Sequence, residues 1–155
     1  MTHPFDCTLR TNRRCETNLF LAHASMMQSV GSIARQLGPG SGRLRGRRVD
    51  LMFAALAADD MLRTLEVENR MELYKEEFEA AKRKHPGHTF DLPEVPDGDK
   101  YWALAEEVGE VAAALTYDNS DDTGHKAELI KEIVQVGALA LAWMVSVDKE
   151  AGQHE

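Results

Sequence analysis

"DLMFAALAADDMLRTLEVENRMELYKEEFEAAKRK" (Asp50–Lys84) runs for 35 residues without a glycine or a proline. Leu51, Leu62, Leu65 and Phe78 recur near the 3.6-residue period, which lines them along one face of a helix. Asp50 can cap the start, and Lys82, Arg83 and Lys84 crowd the far end, where the helix dipole favours cations. The stretch predicts one long helix from about 50 to 84, with a kink allowed.

The flanking segments extend the helical reading. "HPGHTFDLPEVPDGD" (His85–Asp99) carries three prolines and two glycines and reads as a loop. His85 and His88 are three apart, but Pro86-Gly87 between them denies a shared helical face, so solvent exposure is expected rather than metal binding. A second helix is predicted from about Asp99 to Tyr117. The cap-rich turn "DNSDDTGH" (Asp118–His125) follows, and then a third helix from about Lys126 to Lys149. No strand pattern or repeat is visible. Apolar residues reach 43 % while aromatics supply only 6 %, which favours packed helices. The fold class is all-α.

Charge divides the chain. Residues 1–49 carry a net +6 and no lysine, whereas residues 50–155 carry −14. "GPGSGRLRGRR" (Gly38–Arg48) reads as a linker, and Asn18–Leu37 as a short amphipathic helix. The expected organisation is a basic, partly disordered extension (1–49), a helical domain (50–150) and a short tail (151–155). The extension is expected to be dispensable for folding; the other reading is a basic arm that touches nucleic acid or an acidic partner. The acidic main domain is unsuited to specific nucleic-acid binding, because phosphates would repel it. Cys7 and Cys15 show no metal-ligand or disulfide spacing. No apolar run looks long enough to span a bilayer and no signal peptide is evident, so a cytoplasmic protein without membrane attachment is expected.

The chemistry concentrates in "EEVGEVAAAL" (Glu106–Leu115). Leu104, Val108, Val111 and Leu115 form one stripe, and Glu107 and Glu110 sit together on its flank, one helical turn apart. On the third helix Glu128, Glu132 and Gln135 form one polar line, and from Ile133 to Val147 the helix is apolar nearly all round. If the two helices pack antiparallel, Glu107 and Glu110 face Glu132 and Gln135. Buried like charges are costly, and a divalent cation with oxygen ligands would remove that cost. A solvated acidic face is the alternative, and Glu106 fits it.

Glu107-Val-Gly-Glu110 followed by Glu132-Ile-Val-Gln135 and its Ala-rich apolar continuation resembles the MazG-like, all-α nucleoside triphosphate pyrophosphohydrolases. That family carries Glu-x-x-Glu on one helix and Glu-x-x-Asp on the next; here glutamine stands at the last position. The resemblance covers about residues 60–148, with its specific part in 104–143. It implies a helical bundle completed by oligomerisation as a homodimer or homotetramer, in which carboxylates hold Mg2+ (Mn2+ as a substitute). The implied reaction cleaves a nucleoside triphosphate into monophosphate and pyrophosphate. Glu107, Glu110 and Glu132 are then the catalytic carboxylates, with Gln135 and Glu128 assisting at the metal and Glu110 orienting the water. Trp102 and Lys131 are candidate substrate contacts, Trp143 a core residue. A non-catalytic interaction or nucleotide-binding module with a weakened metal site is the alternative that Gln135 raises.

Overall fold

The computed structural model describes residues 12–38, 44–116, 119 and 128–153. They form α1 (Asn12–Gln36), α2 (Leu44–Thr64), α3 (Arg70–Lys84), α4 (Asp97–Ala114) and α5 (Leu129–Gly152), with no strand among the described residues. The all-α expectation holds. α5 lies at the centre, against α2, α3 and α4, while α1 packs on α2 and α4. This follows from composition: Ile133, Val136, Ala140, Trp143 and Val147 are all buried, so α5 needs neighbours on most sides. Ala54, Ala57 and Ala58 of α2 are buried as well and let α2 approach closely. By length and composition α5 could cross a membrane, contrary to the sequence expectation, but most of its apolar window is buried inside the bundle.

The single helix expected over 50–84 is two. α2 ends at Thr64, and Glu66 adopts a left-handed backbone with φ 58°. The Glu66 amide donates to the Arg63 carbonyl (3.0 Å) and the Val67 amide to that of Leu62 (2.9 Å). These two bonds are the Schellman termination, with glutamate at the position glycine usually takes. Asn69, also left-handed at φ 53°, precedes α3. Arg70 then donates to Asp59 (2.7 Å), tying the start of α3 back to α2.

The boundary expected at residue 49 falls inside α2, which begins at Leu44. Of the proposed linker, residues 39–43 lie outside the described residues, as do 1–11 of the extension. The rest is integrated. Leu19, Met26, Val30 and Ile33 of α1 share one core with Leu51, Leu104 and Trp143. Arg47 is buried and pairs with Asp97, and Arg48 pairs with Asp148 (2.6 Å). The expectation that residues 1–49 are dispensable for folding therefore runs against the packing of α1. The expected tail is partly helical, since α5 continues to Gly152.

The loop expected over 85–99 spans 85–96, since α4 already begins at Asp97, and His85 and His88 are exposed in it. Lys100, fully buried, holds this loop to α5: its Nζ donates to the Leu92 carbonyl (2.9 Å) and to Ser146 Oγ (2.7 Å). Burial pulls its ammonium below the ordinary lysine value, against the attraction of Asp97 and Glu150. Trp143 is a core residue as expected, its Nε1 donating to Asp97 Oδ1 (3.0 Å).

Candidate functional site

α4 and α5 run antiparallel, because Lys100 meets Ser146 at one end and Glu107 meets Gln135 further along. Val108 and Val111 turn into the core, which leaves Glu107 on the flank that faces α5. Ile133 and Val136 do the same for α5 and present Glu132 and Gln135 to α4. Gln135 Nε2 donates to Glu107 Oε1 at 3.4 Å, a long bond, and Glu132 lies near enough to act on the Glu107 carboxyl. Glu132 is only 8 % exposed.

Two carboxylates this close and this buried cannot both ionise cheaply. The Glu107 carboxyl is pushed up to about 7, first by burial, then by Glu132, then by Glu106 and Glu77. Gln135 Oε1 is buried with no hydrogen-bond partner. An orphaned acceptor beside two carboxylates is an electron-rich site short of positive charge. Its donors are all oxygen, a set that suits a hard cation such as Mg2+ and not a thiolate-seeking metal.

The other sequence candidates lie around this pair. Glu110 is partly exposed one turn beyond Glu107 and is not among the strongest influences on it. Glu128 is exposed at the N-cap position of α5, where its carbonyl accepts the Glu132 amide (3.0 Å). Lys131 is exposed, with Nζ 4.0 Å from Glu132 Oε1. Trp102 is 70 % exposed and packs edge-on against Tyr101. Among the described residues no three His, Cys, Asp or Glu side chains are gathered as a cation site; the meeting is of two carboxylates and one amide.

Glu107 and Gln135 open onto a cleft of about 340 Å³, of whose lining Glu132 is not a part. Glu107, Gln135 and Leu139 form its floor. α3 supplies one wall with Glu77, Phe78 and Lys84, and the 85–96 loop closes it with His88 and Phe90. Sequence reading missed this wall. Glu77 and Phe78 lie in the predicted long helix as one more acidic residue and one more apolar residue, and only the break at Glu66 turns them towards α4.

Set against protein-family models, characterised proteins and solved structures, the chain matches none.

Proposed function

We propose that this chain is a Mg2+-dependent nucleoside triphosphate pyrophosphohydrolase. The observation that carries the reading is the meeting of Glu107 and Gln135 at the floor of a cleft, with the buried Glu132 acting on the Glu107 carboxyl. These are residues of the Glu-x-x-Glu and Glu-x-x-Gln pairs, brought together from antiparallel helices. Glu107 and Glu132 would hold Mg2+ or Mn2+, with the Gln135 amide oxygen as a neutral third donor. A cation held there would supply positive charge to an acidic cleft that must accept a triphosphate, and would make water easier to deprotonate. Water attacks the α-phosphorus, the α–β anhydride bond breaks, and pyrophosphate leaves with the electron pair. Glu107, whose carboxyl is pushed up to about 7, would have to give up its proton to hold a cation, so uptake would release protons near neutral pH. Phe78 and Phe90 offer apolar surface for a base, and Lys84 adds a positive charge at the rim.

The test is a panel of NTPs and dNTPs with Mg2+ and a pyrophosphate readout. Activity lost in Glu107→Gln with helical content intact supports the reading; no release from any member of the panel by the wild type refutes it.

A non-catalytic nucleotide-binding module is the second reading, favoured by Gln135, which brings an oxygen without charge. Nucleotide binding without pyrophosphate release would establish it.

Assembly belongs to the same proposal. The apolar third helix of the sequence predicts a contact between copies through that helix and the long first one, whereas in the fold α2, α3 and α4 cover α5. The open apolar surface lies on α1 and α2, where Phe20 is 69 %, Leu21 59 %, Phe53 48 % and Leu56 53 % exposed. A cytoplasmic homodimer formed through this face is the proposed state.

A further inference from the structure

α3 makes one wall of the cleft, yet Tyr74 is its only buried residue, and its main helical partner is α5. The Tyr74 ring lies directly over Gly137. A Cβ at Gly137 would stand 2.8 Å from Tyr74 Cζ and 3.0 Å from Cδ1, with Cε1 closer still. No side chain other than hydrogen fits there without moving the ring, and a ring packed in a core moves its helix with it. Gly137 is two residues beyond Gln135, and Tyr74 is three residues before Glu77. The contact therefore joins the two segments that face each other across the cleft. The Tyr74 hydroxyl is buried without a hydrogen-bond partner, so the ring and not the oxygen makes the seat.

We propose that Tyr74 and Gly137 are positioning residues: the ring seated on the glycine sets the spacing of α3 from α5. That spacing places Glu77 and Phe78 opposite Glu107 and Gln135. The inference rests on the proposed cation site for its functional consequence, though the spacing itself can be measured without it. Glu77 then adds negative charge that Gln135 does not supply, and the cleft takes up a cation at lower concentration than Glu107 and Glu132 alone would allow.

The test uses the full chain. Two nitroxide labels, at Arg83→Cys on α3 and Val145→Cys on α5, report the spacing after Cys7 and Cys15 are replaced by serine. Mn2+ uptake without nucleotide, and the Mg2+ dependence of turnover, report the site. Gly137→Ala is expected to lengthen the label distance and raise the half-saturating Mn2+ and Mg2+ concentrations about tenfold. Turnover at saturating Mg2+ should change far less, a split that simple loss of folded protein would not produce. Tyr74→Phe should match the wild type in every readout. Adding Tyr74→Leu to Gly137→Ala removes Cζ and Cε1 and should bring distance and affinity back towards the wild type. If Gly137→Ala does not fold, Tyr74→Leu alone carries the test, with a broadened distance and weaker Mn2+ uptake expected. An unchanged distance in the folded Gly137→Ala chain overturns the proposal, and so does an unchanged distance in Tyr74→Leu when that variant carries the test. Damage by Tyr74→Phe equal to that by Gly137→Ala overturns it too, by assigning the role to the hydroxyl. A shifted distance in a chain that takes up no Mn2+ and releases no pyrophosphate keeps the positioning contact and removes the functional reading.

Discussion

Replacing Glu107 by glutamine should change how stability depends on pH, and the direction follows from the site. In the folded chain the Glu107 carboxyl holds its proton up to about pH 7; in the unfolded chain it releases it near 4.5. Between these values the folded state binds more protons, so stability falls as pH rises and levels off once both forms are ionised. The shift, at about 1.4 kcal/mol per unit, sets a ceiling of about 3 kcal/mol. Solvent reaches part of the group, and screening reduces the effect to about 1–2 kcal/mol. For a chain of this size that corresponds to roughly 2–8 °C in Tm. The assay is urea unfolding at several pH values from 5 to 8 in EDTA. Wild type should lose that stability across the window, and Glu107→Gln, which cannot titrate, should lose less by the same amount. Mg2+ at pH 8 should restore stability to the wild type and not to the variant. Equal pH profiles for the two proteins would refute the facing of Glu107 and Glu132.

Three further outcomes follow from the fold. Ile33→Ala, which empties a fully buried position on α1, should cost about 2–5 kcal/mol in urea unfolding; a negligible loss would return α1 to the status of a detachable extension. Glu66→Gly should raise stability by about 0.5 kcal/mol in thermal melts, because glycine takes the left-handed position without the side-chain penalty; a loss would contradict the helix termination described. Light scattering should give twice the 17.3 kDa chain mass, and Leu56→Glu should reduce it to a monomer; a wild-type monomer would refute the α1–α2 interface.

Local pattern was a good guide where side-chain chemistry acts within one helix. The acid–apolar alternation of Glu106–Leu115 announced a helix with one flank turned from the core, and α4 has that flank. The apolar run from Ile133 to Val147 announced a central helix, and α5 is one. The antiparallel facing of Glu107 with Gln135 was legible only as a condition, because the fourteen residues between α4 and α5 leave the direction of packing open. The break at residues 65–69 was not legible: Glu66 carries no glycine signal, and the two bonds that end α2 exist only once Val67 turns inwards. Glu77 was missed for the same reason.

The sequence by itself determined the helical class and the loop that begins at His85. Each of these depends on periodicity or on residues within a few turns of one another. Tertiary structure alone decided that α1 belongs to the core, that α3 leaves the line of α2, and that Glu77 and Phe78 stand across the cleft from Gln135. Those outcomes depend on the fit of surfaces far apart in the chain, such as the Tyr74 ring against the bare backbone of Gly137. No local pattern encodes that contact.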